Sequence, residues 1–298
     1  MTQIKAITPL DGRYAKLTET LSDVFSEYGL IRHRIQVEIE WLKFIITDLK
    51  LAGEISLDTA AIDAILDNFD VSGAEQVKAI ERKTNHDVKA VEYYIKEGLE
   101  AAGLGHIKEW VHFACTSDDI NNTAYALMLK KGKDLAQELL AEFQGKLEEK
   151  ALAHKAAPMM SRTHGQPATP TTVGKEFVNF AWRIDQERQI LADKQVQAKI
   201  NGATGNYNAH YFVFPDIDWP AASQRFVSQH LGLEPILFST QINPGNALSF
   251  VLHTLIRAAA VTIDFDGKMG LVGGKPAAAA GAAAGACRPR PRKPPPGQ

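Results

Sequence analysis

The stretch Val173-Gly174-Lys175-Glu176-Phe177-Val178-Asn179-Phe180-Ala181-Trp182-Arg183-Ile184-Asp185-Gln186-Glu187-Arg188-Gln189-Ile190-Leu191 decides the fold. Phe177, Ile184 and Leu191 recur every seven residues, Ala198 extends the series, and Val173 and Phe180 flank it. That period puts one apolar seam along a helix, the pattern of helices packed side by side in a bundle. The spacing predicts a helix over 171–199. Upstream, Leu135, Leu139, Phe143 and Leu147 recur every four residues on a helix expected over 117–155, which Pro158 stops. Downstream, Leu248, Leu252, Leu255 and Ala259 mark a third, expected over 246–266. Three such patterns make the expected class all-α, a long-helix bundle with sheet only as a minor element.

A smaller helical domain precedes the bundle. Leu30, Val37, Trp41 and Phe44 predict a helix over 22–50, and Ile62, Ile65, Leu66 and Phe69 a short one over 58–69. Val88, Val91, Ile95 and Leu99 predict another over 88–99. Glycines between Gly98 and Gly105 then break the chain, so we place an N-terminal domain at 1–111 and the bundle at 112–266. After Asp266 the character changes: from Gly273 onward the chain is rich in Gly, Ala, Pro and Arg and almost nothing is large and apolar, which predicts an unstructured tail over 267–298.

Composition removes several classes of function. The 33 basic and 35 acidic residues nearly cancel, so no global positive field calls for nucleic acid. Two cysteines cannot make a disulfide framework, and we expect a reducing, cytoplasmic setting. The apolar run 250–263 is interrupted by His253 and Arg257, which argues against a membrane span. No metal-ligand spacing, dinucleotide fingerprint or hydrolase elbow is present, so neither metal nor cofactor is expected.

What remains is a set of polar clusters at expected helix ends: Arg13 and Tyr14; Asn85, His86 and Asp87; Thr116 and Ser117; Thr163, His164 and Gln166; and Gln241. Hydroxyls before Asp118 and Asp119 suit a helix start, as do Thr84 to Asp87. Donors gathered in this way suit an anionic substrate, and a histidine among them can give or take a proton near neutrality.

Five ordered motifs carry a resemblance. They are Asp11-Gly12-Arg13-Tyr14; Thr84-Asn85-His86-Asp87-Val88-Lys89-Ala90-Val91-Glu92; Cys115-Thr116-Ser117-Asp118-Asp119-Ile120-Asn121-Asn122; Ser161-Arg162-Thr163-His164-Gly165-Gln166-Pro167-Ala168-Thr169-Pro170; and Gly202-Ala203-Thr204-Gly205-Asn206-Tyr207-Asn208-Ala209-His210. Through them the sequence resembles the fumarase/aspartase superfamily, in particular its bacterial members that act on succinyl-purine nucleotides, over residues 5–266. The resemblance implies an all-helical subunit, a homotetramer with active sites shared among subunits, and no cofactor or metal. It also implies elimination of fumarate from adenylosuccinate to give AMP, and from the succinyl-carboxamide ribotide of purine synthesis. By the same resemblance His164 is the general acid, and His86 contacts substrate and supports it. Arg13 and Tyr14 bind the phosphate, and Asn85 and Asp87 line the site. Thr116 and Ser117 lie near the succinyl carboxylates, and Thr163, Gln241 and Asn206 make further contacts.

The departures are at the C-terminal end. The superfamily's Ser- and Gly-rich loop, which carries the general base, has no match after Asp266, and Pro244-Gly245-Asn246 stands where Pro-His-Asp is expected. A shifted reading frame after Asp266 would account for the change in composition. We therefore expect the bundle to be truncated and residues 1–298 to show little activity. Two alternatives stay open: a sister lyase of the argininosuccinate or aspartate type, and a non-catalytic helical assembly protein.

Overall fold

The computed structural model describes residues 7–53, 55 and 57–273. Its contacts divide into two compact units, one of Met1–Leu135 with Lys194–Phe250, the other of Ala136–Asp193 with Val251–Gln298. The boundary expected at residue 111 falls inside the first unit. Residues 274–298, most of the expected tail, lie outside the described residues.

The first unit opens with α1 (Ala15–Phe25) and α2 (Glu27–Lys43), the latter prolonged by a π-helical turn over Phe44–Asp48. The single helix expected over 22–50 is thus two. Ser26 separates them because its extended backbone lets its hydroxyl accept the Gly29 amide at 3.1 Å, an N-cap bond. A Cβ on Gly29 would sit 2.5 Å from the Val24 carbonyl oxygen, so the elbow requires glycine. Ile35, Val37, Ile39, Trp41 and Leu42 are all fully buried, which makes α2 the central helix of this unit. Around it stand α3 (Thr59–Asp67), α4 (Val71–Thr84) and α5 (Asp87–Ala101), the first two capped by Asp58 and Asp70. No apolar stripe announced α4 in the sequence: only Ala74 and Val77 among its larger side chains are buried.

Then comes α6 (Ser117–Ala153), close to the expected 117–155. The first unit also holds a parallel pair, β3 (Gln197–Ala198) with β4 (Glu234–Pro235), and the short helices α8 (Asn208–Val213) and α9 (Trp219–Arg225). Its aromatic core joins Trp41 to Phe226 at 5.0 Å and Phe44 to Phe226 at 5.3 Å between ring centroids.

In the second unit, β1 (Pro158–Thr163) and β2 (Gln166–Thr172) form an antiparallel hairpin, followed by α7 (Val173–Asp193); α10 (Asn246–Gly273) closes the described chain. Leu147, Phe180, Ala181, Ile184 and Val261 make its buried cluster, with Phe143, Phe177 and Phe265 against it. The seven-residue seam is therefore the core, except that α7 stops at Asp193 and Ala198 is buried in β3 instead. A Cβ on Gly174 would come within 2.4 Å of the Ala151 carbonyl oxygen, so the start of α7 lies hard against the end of α6. Helix α10 continues seven residues beyond Asp266, where the apolar pattern was expected to end. Its stretch Asn246–Met269 is long and apolar enough to cross a membrane, at mean hydropathy 1.5. Arg257, however, pairs with Glu187 at 2.9 Å, and Val261 belongs to the buried cluster, as in a bundle helix. Trp182, Leu252, Ile256 and Ile263 remain exposed along α7 and α10.

Candidate active site

The first unit brings several of the expected residues together at two helix starts. Asn85 ends α4 in a left-handed conformation (φ 54°), which reverses the chain and sets His86 at the N-cap of α5. His86 Nδ1 accepts the Lys89 amide at 3.1 Å. That bond leaves Nε2 as the protonated nitrogen of the neutral ring, 3.5 Å from the Ser117 hydroxyl. Asp87 accepts the Arg34 guanidinium at 2.6 Å, and Arg34 Nε also donates to Asn121 at 2.8 Å. Burial pushes the Asp87 carboxyl up, but Arg34 and the Val88 amide outweigh it and hold it below the usual carboxylate range.

Thr116 and Ser117 open α6. The Thr116 amide donates to Asp119 at 2.9 Å, and the Thr116 hydroxyl accepts from Gln241 at 3.4 Å. Asp119 is fully buried and receives four bonds. Its Oδ1 takes Lys199 Nζ at 2.9 Å and the Asn201 amide at 3.1 Å; its Oδ2 takes the Thr116 amide and, at 3.1 Å, the Gly202 amide. Lys199 is equally buried, so the ion pair is fully desolvated and its remaining acceptor sites are filled by backbone donors. The arrangement ties the start of α6 to the Gly/Asn-rich loop. In that loop Gly205 (φ 78°) passes so close to Ser239 that a Cβ would meet its carbonyl oxygen at 2.2 Å. Asn243 completes the web, donating its amide to Asp118 at 3.1 Å and its side chain to Gln197 and Asn122.

The other expected residues are placed differently. Asn206 is exposed in the Gly/Asn loop, next to Gly205. Arg13 stacks over its neighbour Tyr14 at 5.5 Å, and among the described residues no hydrogen bond joins either to the Thr116 cluster. Thr163 and His164 belong to the second unit. Thr163 pairs with Gln166, and His164 (φ 50°) and Gly165 (φ 77°) form the two-residue turn of the hairpin. Both side chains are exposed. The segment 161–170, which lies between two expected helices, is therefore part of a β-hairpin; its prolines are tolerated because a two-stranded sheet has only edge strands.

Sequence reasoning did not find Asp119 as the anchor, nor Lys199, Arg34 or Asn243. Their partners lie 53 to 125 positions away in the chain, beyond any spacing rule. It also passed over Glu38 and His112. The Glu38 carboxylate, fully buried on α2, accepts both the His112 amide at 3.1 Å and the His112 ring at 2.6 Å. Lone signals existed only for the acidic pair Asp118-Asp119, which reads equally well as an ordinary first turn.

A family model described as a lyase matches residues 12–220. Adenylosuccinate lyase from Vibrio cholerae is 41% identical over 273 residues, and that from Escherichia coli 40% over 274; each match covers 89% of this chain and 59% of the relative. The chain thus spans about three-fifths of the length of these relatives. Among solved structures, a fumarate lyase from Mesorhizobium has a TM-score of 0.69 at 19% identity over 85% of this chain and 57% of that one. A 3-carboxy-cis,cis-muconate lactonizing enzyme from Pseudomonas putida has 0.67 at 21% identity, over 85% and 53%. These two likenesses speak for the fold alone.

Proposed function

This chain belongs to the lyase family, and from that premise we propose that it forms the greater part of an adenylosuccinate lyase subunit, eliminating fumarate from adenylosuccinate to leave AMP and from the succinyl-carboxamide ribotide in the same way. One observation carries the reading: the His86 imidazole and the Ser117 hydroxyl face each other at 3.5 Å at two helix starts, with Thr116 and Gln241 beside them. Helix N-termini favour carboxylates, and the hydroxyl, amide and imidazole donors give such a group directional partners.

The elimination breaks the bond between the succinyl carbon and the purine nitrogen. It needs a proton removed beside a carboxylate and a proton delivered to the leaving nitrogen. In this reading His164 delivers that proton, and its exposed place at a hairpin turn suits a group that meets substrate. His86 contacts substrate and supports the acid. Thr116 and Ser117 lie near the succinyl carboxylates, Thr163, Gln241 and Asn206 make further contacts, Asn85 and Asp87 line the site, and Arg13 with Tyr14 receives the phosphate. The Arg13 guanidinium carbon lies 5.5 Å from the Tyr14 ring centroid, and a guanidinium offers the fork of donors that phosphate recognition uses. The proposed assembly is a homotetramer in the cytoplasm. The exposed apolar residues of α7 and α10 support it, since bundle helices bury such faces against neighbours.

None of these residues is proposed as the base, so residues 1–298 by themselves should turn over little substrate. Fumarate release from adenylosuccinate, argininosuccinate and aspartate tests the reading. A full-length subunit containing this chain should prefer adenylosuccinate, and preference for either other substrate overturns the assignment. Turnover of about one per second or faster by residues 1–298 contradicts the proposal that the base lies elsewhere.

A further inference from the structure

Between Val111 and Thr116 the chain is held in a costly shape. His112 (φ 62°) and Ala114 (φ 56°) both sit in the left-handed region, two non-glycine residues within three positions. Such conformations persist only where the surroundings over-determine them. Here the surroundings are α2. Glu38 accepts the His112 amide and its ring through both carboxylate oxygens, and Trp41 Nε1 donates to the Phe113 carbonyl at 3.0 Å. Three residues further on, Thr116 and Ser117 face Gln241 and His86.

We propose that the Glu38–His112 pair positions Thr116 and Ser117, so that the charge on His112 sets the geometry of the Ser117–His86 contact. The proposal rests on the functional reading only for what the contact binds; the coupling itself is independent of it. Glu38 is wholly buried, and loss of its partner would leave a desolvated carboxylate unpaired. The charges facing His112 are Glu38 on α2 and Glu92 and Lys89 on α5. Burial pushes the imidazole down, but the charge and hydrogen bond of Glu38, with Glu92 and against Lys89, leave it raised above its ordinary value. His112 therefore keeps its proton to a higher pH than an ordinary imidazole, and the clamp loosens as pH rises through that raised value. Glu38 and His112 act through Thr116 and Ser117, as positioning residues.

The test is amide and imidazole NMR on the 298-residue chain across pH 5.5–9, without ligand. In the wild type the His112 ring should titrate above 6.5, and the Thr116 and Ser117 amide shifts should follow that same titration. In Glu38→Gln the ring should titrate below 6.5, and the two amides should lose the coupled step. His112→Asn keeps a residue tolerant of the left-handed conformation but removes the charge, so it serves if Glu38→Gln does not fold. It should abolish the step while the far-UV spectrum is unchanged. Thr116 and Ser117 amides indifferent to the His112 titration in the wild type overturn the proposal. Calorimetry with adenylosuccinate forms the second arm: His112→Asn should weaken binding by about tenfold at pH 7 and flatten its high-pH decline. Absence of any binding by the wild type counts against the functional reading, while the NMR arm still decides the clamp.

Discussion

Asp119 and His164 lie in opposite circumstances. Asp119 is out of contact with water and takes four hydrogen bonds, from a lysine and three backbone amides on either side of it in the chain. His164 stands exposed at the tip of a two-stranded hairpin whose described bonds are its own pairing, Ser161 to the Thr169 carbonyl, Arg162 to the Gly165 carbonyl, and, at the far end, the Lys175 amide to the Thr172 hydroxyl. Both belong to motifs of similar length and polarity. The difference teaches that one group of proposed substrate ligands is set by folding, whereas the proposed acid rides on a locally held element. Elements with few buried contacts open at low free-energy cost, and those anchored by the core open only with it.

The severest way to break the comparison is Lys199→Met. It leaves the Asp119 carboxylate buried without its cation, a change that costs about 3–5 kcal/mol in such pairs. Urea unfolding should show that loss, and a loss below about 1 kcal/mol would mean Asp119 is not the anchor.

Acid should act on the same unit. His33 and His210 are buried, and burial lowers each imidazole from 6.5 to about 4, against a hydrogen bond to Gly29 in the first case and the charge of Asp119 in the second. The unfolded chain binds these protons more readily between those values. Stability is therefore complete above pH 6.5 and is lost as pH falls toward 4, by at most about 3 kcal/mol for each histidine. His210 packs on Trp219 at 4.7 Å and Trp41 at 6.2 Å, and among the described residues neither of its nitrogens has a partner. His210→Phe should consequently flatten the pH dependence of the urea midpoint between 6.5 and 4; an unchanged slope would remove His210 from the account.

Gly205→Ala comes next. It strains a left-handed residue and drives a methyl into the Ser239 carbonyl, at a cost of about 1–3 kcal/mol by thermal unfolding. His164→Ala should be the mildest for the fold, within about 0.5 kcal/mol, because the side chain is exposed. In a full-length subunit the same change should cut turnover by about 10²-fold or more. A large loss of stability with turnover intact would reverse the contrast drawn between the two regions.

Much of the fold was legible in the sequence because apolar spacing reports directly on helix faces. The seam Phe177, Ile184, Leu191 is buried or packed against the buried cluster of its unit, and α5, α6 and α10 begin within two residues of expectation. Spacing failed where local chemistry overrode it. Ser26 and Gly29 split an apparently continuous helix, α4 buries too little to show a stripe, and the proline-bearing segment between two expected helices formed a hairpin that no alternation announced. Helix-end polarity located His86 and Thr116-Ser117 correctly as neighbours of helix starts. The groups that hold them there were not legible: Lys199, Arg34 and Glu38 each look like an ordinary charged residue until the fold brings a partner from far along the chain.

Hydrogen exchange on the 298-residue chain tests the contrast most directly. The Thr116, Asn201 and Gly202 amides, all donated to Asp119, should exchange only at free energies near that of global unfolding, and the Thr163 and Gln166 amides through local opening well below it. Lys199→Met should remove the excess protection of the first group and leave the hairpin unchanged. Hairpin amides protected as strongly as those bound to Asp119 would contradict the account.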